Sequence, residues 1–369
     1  MLMFRHSSNK PANSFSTKVK YWFKHHKKLS IILGIILLLI AAGGTATALY
    51  FMNQSDEVVA TKPTPKPTPP PEAPKYYSPL SGNLVETEAA THQAVTGIMM
   101  ENSPDARPQS GLKDSGVVFE AIAEGGITRF LVLYQEQKPQ LIGPVRSVRQ
   151  YYVDWVAGFN ASVAHVGGSA AALKEVRNGS YRDIDQFFNA STYWRATDRY
   201  APHNVYTSFE KIDALNAKKG FTTSEFTGFT RKESVATTPA ASSIDVKISG
   251  PLFNSHYNYN AATNTYDRSQ AGKPHLDRES GQISPRVVIA MKVNQVKVFE
   301  DGYREQIQAI GSGAATIFQD GTVQEVTWKK ASKTGQITFT DAAGVDVPLA
   351  RGQTWISAIP NGSGSVTWQ

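Results

Sequence analysis

The sequence predicts an α+β fold: an α/β-like first folded domain and a β-rich second one, preceded by one transmembrane helix and a Pro-rich linker. Three observations lead there. Leu29 to Met52 is a run of 24 residues without a charge. Between residues 78 and 230, strand-like apolar runs alternate with helical ones, the pattern of mixed α and β layers. Beyond residue 243 short β-rich runs separated by turn residues take over. The implied boundaries are a basic tail over 1–28, an anchor over 29–52, a linker over 53–77, a first folded domain over 78–230, a second linker over 231–243 and a last domain over 244–369.

The tail is set by charge. The chain of 369 residues has 38 Lys+Arg against 31 Asp+Glu, a formal charge of +7, and no cysteine. Seven of the basic residues (Arg5, Lys10, Lys18, Lys20, Lys24, Lys27, Lys28) fall in the first 30 positions with no acidic one, which leaves 31 basic against 31 acidic side chains elsewhere. The excess is therefore local, and no nucleic-acid partner is expected. The absence of cysteine excludes disulfides, thiolate zinc sites, cysteine nucleophiles and a lipid-modified N-terminal cysteine.

The uncharged run is long enough to cross a hydrocarbon core of ~30 Å. Basic residues precede it and Asp56 and Glu57 follow, which places the N-terminus in the cytoplasm and the folded part outside. A cleaved signal peptide is the rival, on the small-residue site Ala46-Thr47-Ala48. The long basic region and the continuing Leu49-Tyr50-Phe51 favour an uncleaved signal anchor. Thr61 to Pro74 contains seven prolines. As polyproline II, at ~3.1 Å per residue, this stretch is a stalk of roughly 40 Å.

In the first folded domain Ala94–Met100, Gly116–Ala123, Ile127–Tyr134 and Ser162–Val166 read as strands. Tyr151–Phe159, Ala170–Arg177 and Phe209–Lys218 have helical spacing. In the second, strands are expected at Asp245–Ile248, Tyr257–Tyr259, Arg286–Val298, Ala315–Phe318, Thr322–Trp328, Gln336–Phe339 and Thr354–Ile359. Asp301-Gly302 and Asp320-Gly321 are turn signals between them.

Polar residues are unusually dense beside the apolar runs of the first domain. The blocks ENSPDARPQSGL (from Glu101), EGGITRFLVLY (from Glu124), GPVRSVRQYY (from Gly143), HVGGS (from His165) and RYAPHNVYT (from Arg199) resemble the YerB-like lipoproteins, a bacterial envelope family of unknown function. The later GKPHLD and GQTWI are similar to that family's C-terminal domain. Together these blocks span roughly residues 78–360. The resemblance implies a two-domain extracytoplasmic fold and no established reaction. The chain departs from the family's lipid anchoring, because it has no cysteine, so only the helix can hold it to a membrane.

Read as chemistry, Arg146 and Arg149 lie three apart after a Gly-Pro turn and would share a face at a helix start. With Arg107 and Arg129 they would line an anion pocket, since guanidinium forks match carboxylate and phosphate. Gly125-Gly126 and Gly167-Gly168 would let backbone approach a ligand. His165 and Ser169 would face a ligand at a helix N-terminus, and His203 and Asn204 would orient it. The competing reading is that Glu120, Glu124 and the arginines form internal ion pairs.

Glu120 and Glu124, four apart on a continuous strand, would face one side and could act as the acid and base of glycoside cleavage. A His165–Ser169 nucleophile pair lacks the Gly-x-Ser-x-Gly elbow and an orienting aspartate. Asp183 and Asp185 with His203 have no metal-ligand spacing, and a solvated turn is the simpler reading. No cofactor and no metal is expected. In the second domain Tyr257, Tyr259, Tyr266 and Arg268 would make an aromatic, polar surface. Trp328, Trp355 and Trp368 would belong to the core, and His275 and Asp277 would make a local hydrogen bond.

Two classes of function fit these residues best. One is an envelope protein that binds a cell-wall polymer or other anionic ligand through the Arg/Glu/His cluster. The other is a wall-glycan hydrolase that uses Glu120 and Glu124. A protein-interaction scaffold of the envelope is the third.

Overall fold

The computed structural model describes residues 15–52, 74–298 and 304–369. The basic tail up to residue 14, the proline-rich stretch over 53–73 and the expected turn at Asp301-Gly302 lie outside the described residues. The chain divides into two compact units, Met1–Glu72 and Ala73–Gln369. The first holds helices α1 (Phe15–His25) and α2 (Lys27–Met52). Within α2, Lys27–Tyr50 is long and apolar enough to cross a membrane, and none of it is buried against protein.

Among the described residues, the second unit is built on one 12-stranded sheet. Its first segment supplies β1 (Thr96–Glu101), β2 (Val117–Glu124), β3 (Ile127–Tyr134), β4 (Ser162–His165) and β5 (Arg182–Asp185), with helices α3 (Gln150–Ala157), α4 (Ala170–Val176) and α5 (Phe209–Lys219) between and after them. The chain then adds β6 (Ser243–Lys247), β7 (Ser255–Asn260), β8 (Thr265–Gln270) and β9 (Lys273–Pro274), followed by β10 (Val287–Val293), β11 (Gly311–Gln319), β12 (Thr322–Lys330), β13 (Thr338–Thr340), β14 (Thr354–Pro360) and β15 (Ser365–Trp368). The main order is β13-β12-β11-β10-β14-β2-β3-β1-β4-β5, and the remaining two strands, Gln295–Val298 and Arg304–Ile307, pair with each other and join at the end of β2, where Arg304 lies opposite Glu124. A second sheet of five strands runs β9-β8-β7-β6-β15.

The two segments share the main sheet. They meet where β14 runs parallel to β2, with Thr354 opposite Val117 and Ser357 opposite Glu120. The expected linker over 231–243 is also drawn in. Arg231–Lys232 pairs with Leu349–Ala350, and the Arg231 guanidinium donates to the carbonyls of Leu80 and Ala350. Burial of that guanidinium lowers its pKa to about 9.

Both faces of the main sheet are covered, which is why β1 and β14 are buried along their whole length and read as continuous apolar runs. On one face Val117, Phe119 and Leu131 pack with Tyr151, Tyr152 and Trp155 of α3. Gly97 allows α3 to come close, since a Cβ there would meet Val156 Cγ2 at 2.8 Å. On the other face Val118, Phe130 and Trp355 pack with Ile244, Val246, Tyr257 and Tyr266 of the second sheet. Trp328 and Trp355 lie in the core, and Trp368, partly exposed at 37%, sits against Phe318.

A fragment ending at residue 230 would leave β2 as a bare edge of apolar side chains and unpaired backbone, a template for aggregation. We expect residues 73–230 alone to be insoluble or unfolded, and residues 73–369 to unfold in one transition by circular dichroism and fluorescence. A soluble fragment with dispersed amide resonances would contradict this.

Candidate functional site

The parallel strands β1, β2, β4 and β5 all end on one edge of the sheet, at Glu101, Glu124, His165 and Asp185. Ligand sites of open parallel sheets form outside such carboxyl ends. Here the segment Gly143–Arg149 is laid across the edge. Arg146 N donates to Met99 O (2.8 Å), Val166 N to Arg146 O (3.0 Å) and Val148 N to Gly167 O (3.0 Å). It stitches β1 to the end of β4 and hangs an arginine over each side.

The expected residues do not converge in one pocket; they form three groups. In the first, buried Glu101 accepts from Ser103 Oγ (3.0 Å) and His203 Nδ1 (2.9 Å), and Arg146 Nε lies 3.3 Å away. In the second, Glu124 holds Arg129 Nη2 (2.8 Å) through one oxygen and the Arg149 fork through the other. Burial alone would raise the Glu124 pKa, but the two guanidinium groups overcome it and hold the carboxyl below its ordinary value. In the third, His165 faces Asp183 Oδ1 at 2.9 Å and Gly167 O at 2.8 Å, and Asp185 pairs with Arg177.

Several expectations are corrected. Glu120 and Glu124 do not make a carboxylate pair. A register shift between Ile122 and Glu124 interrupts the alternation, so Glu124 joins the arginines beside α3 while Glu120 points to the second sheet. Arg146 and Arg149 engage different carboxylates. Ser169 Oγ caps α4 by accepting from Ala172 N (3.4 Å), and Asn204 holds its own loop by bonding Arg195, Ala196 O and Arg199 O. The paired glycines make structure: Gly125-Gly126, both at positive φ, are the tight turn between β2 and β3. The histidine near Asp183 and Asp185 is His165, not His203. The two aspartates approach different ring nitrogens and Arg177 already neutralises Asp185, which disfavours a cation there.

Glu120 is fully buried and ion-paired with Arg268, which is also fully buried (Nη2 to Oε2, 2.9 Å). Thr128 Oγ1 and Trp355 Nε1 complete the carboxylate's shell at 3.1 and 3.0 Å. The guanidinium lies 4.4 Å from the Trp355 ring centroid and bonds Tyr257 Oη. It also donates to His275 Nδ1, whose Nε2 donates to Gln109 Oε1 (3.0 Å). Gln109 continues to Asn102 Oδ1 (3.0 Å), which also accepts from Arg107 Nε (3.0 Å). The expected aromatic surface is therefore interior at Tyr257, Tyr266 and Arg268. The expected local bond is present at Asp277, whose Oδ1 accepts from Glu279 N (3.1 Å) and Ser280 N (3.0 Å), while its Oδ2 accepts from Lys113 N (3.1 Å) of the first segment.

This chain of bonds ends at the wall of a cleft of about 680 Å³. Arg107 and His203 line it, joined by Arg199, Arg278 and Tyr200, which sequence reasoning did not single out. The Tyr200 side chain is 91% exposed. Arg199 donates to Asp105 O (3.0 Å) and Pro108 O (2.5 Å), tying the two lips together. Burial, and then repulsion from Arg268, lower the Arg107 pKa to about 10, leaving it charged at neutral pH. Behind the cleft two guanidinium groups, Arg107 and Arg268, thus face one carboxylate, Glu120. The only advance signal for Arg199 and Tyr200 was their place in the RYAPHN block. Arg149 and Ser169 line a separate hollow of about 340 Å³.

Fold and site together define a two-segment protein with a shared sheet and a cationic cleft at its carboxyl edge. The chain belongs to the family described as "Protein of unknown function (DUF3048)": residues 80–222 match its N-terminal domain and residues 244–356 its C-terminal domain. It is similar to "Putative lipoprotein YerB" of Bacillus subtilis strain 168, 33% identical over 295 residues, which is 78% of this chain and 88% of that one. The crystal structure of YerB from Bacillus subtilis superposes with a TM-score of 0.71 at 31% identity, covering 79% of this chain and all of the other.

Burial, and then repulsion from Arg268 and Arg107, push the His275 pKa well below its usual 6.5. The unfolded chain takes up that proton near pH 6.5 and the folded one does not, so stability is lost as pH falls below that value, by up to ~1.4 kcal/mol per pH unit. His275→Gln keeps an acceptor for Arg268 and a donor for Gln109. Urea denaturation between pH 7 and pH 5 is expected to show this loss in wild type and a flatter dependence in H275Q. Identical slopes would refute the assignment.

Proposed function

We propose that this is a membrane-anchored envelope protein of a family without an assigned role, whose folded body binds an anionic cell-wall ligand in the carboxyl-edge cleft. The anchor is the apolar helix within Lys27–Met52, with the N-terminus in the cytoplasm and the folded body outside. The similar protein's printed name, a lipoprotein, supports an envelope setting. This chain, without cysteine, would reach it by its helix.

The observation that carries the binding reading is the meeting of Arg107, Arg199 and Arg278 with His203 in one cleft, where three guanidinium groups outnumber two carboxylates, Asp105 and Asp198. The three arginines come from separate stretches of chain, so the fold gathers them. Glu120 is already neutralised by Arg268, so the charge of Arg107 is left for an anion at the cleft wall, because an opposite charge within a few ångströms favours the charged guanidinium. Glycan hydrolysis by Glu120 and Glu124 is not retained, since Glu120 is sealed in the core and neutralised by Arg268.

Each charge-assisted hydrogen bond lost to an anion costs ~1.5–3 kcal/mol. For the full chain in detergent, titrated calorimetrically with purified anionic wall polymer, we expect saturable binding that weakens with salt. Arg107→Gln together with Arg278→Gln should weaken it by about 100-fold or more, with near-UV circular dichroism unchanged. Equal isotherms for the wild type and a folded double variant would overturn the reading.

A further inference from the structure

The cleft does not end in a wall. It ends at Arg278, which pairs with Asp198 (Nη2 to Oδ2, 2.5 Å) and, more loosely, with Glu279 (Nε to Oε1, 3.7 Å). Directly beyond lies a second hollow of about 410 Å³, which shares those two side chains with the first and is lined further by Trp194, Arg195 and Tyr206. The pair crosses between segments: Asp198 belongs to the loop before Tyr200, and Arg278 to a turn docked on the first segment through its N–H to Gln109 O (2.7 Å). With side chains 37% and 50% exposed, it is a bar in water, and exposed ion pairs open at little cost.

The two hollows are similar in kind. Each offers an aromatic ring that is not sealed in the core, Tyr200 in one and Trp194 in the other, beside guanidinium groups and two carboxylates, Asp105 and Asp198 in the first and Asp198 and Glu279 in the second. Aromatic faces suit sugar rings, and guanidinium forks suit carboxylate or phosphate. A repeat of ring and cation on both sides of a weak bar matches a repeating ligand better than a single small anion.

Resting on the anion-binding reading above, we propose that the two hollows are consecutive subsites of one groove for a linear anionic glycan. Arg278 exchanges its bond from Asp198 to an anionic group of the chain as the bar opens. Short ligands fill one hollow; longer ones span both.

The test uses galacturonate and its oligomers, from the monomer to the octamer, titrated into the full chain in detergent. Wild type is expected to gain roughly tenfold or more in affinity with length, the gain of a second linked contact. In a variant, Asp198→Cys, the chain's lack of native cysteine lets a bulky maleimide be attached site-specifically at the bar while Arg278 stays in place. The length-dependent gain should be present before labelling and lost after it. Trp194→Ala should bring the octamer down toward the monomer's affinity. Monomer binding without any gain on lengthening, or a gain that survives labelling, would overturn the two-subsite groove while leaving the anion site standing. Failure of every member, monomer included, to bind wild type would refute the anion site and the groove with it.

Discussion

The structure depends on one buried ion pair. Arg268 and Glu120 are both inaccessible to solvent, and neither would be tolerated there alone, since an uncompensated buried charge costs ~3–5 kcal/mol. That is a large share of a typical domain stability of ~5–15 kcal/mol. The pair joins the middle of β2 to β8 in the second sheet, directly beside the seam where β14 pairs with β2. The two family segments are therefore fastened together twice at one place, by backbone ladder and by charge. Around the guanidinium, Trp355, Tyr257 and Phe130 present their faces, replacing water with aromatic surface that favours a cation.

The same constraint reaches the cleft. Once Arg268 is fixed, His275 must accept from it and so stays neutral, Gln109 is oriented by His275, and Asn102 and Arg107 follow. The cleft wall inherits a guanidinium held from behind, with cationic charge in excess. The carboxyl edge is organised independently by the segment Gly143–Arg149, whose arginines are balanced by Glu101 and Glu124. This explains why so many polar residues sit next to apolar runs: most of them fix the edge, and only a few face open space.

Much of this was legible in the sequence. The strands at residues 96–101, 117–124, 127–134 and 354–360 are apolar runs with sharp ends, and the helix Lys27–Met52 carries an uncharged stretch long enough to cross a membrane. The helices over 150–157, 170–176 and 209–219 follow their spacing. The site was less legible for physical reasons. The register shift before Glu124 reverses one side chain, and no residue at Ala123 announces it. Arg268 lies in a strand of alternating polar residues, a pattern that reads as a solvent face, and only the partner carboxylate on a strand 148 positions away reverses that. Arg199 and Tyr200 lie on a loop whose place over the edge is set by Asn204, a contact within the loop that spacing does not reveal.

The most direct test is a double-mutant cycle on Glu120→Leu and Arg268→Met, read as unfolding free energy of the full chain's folded body. The account predicts that each single variant loses ~3–5 kcal/mol by stranding a buried charge, and that the double variant loses much less than the sum. Additive losses, or a single variant as stable as wild type, would contradict it.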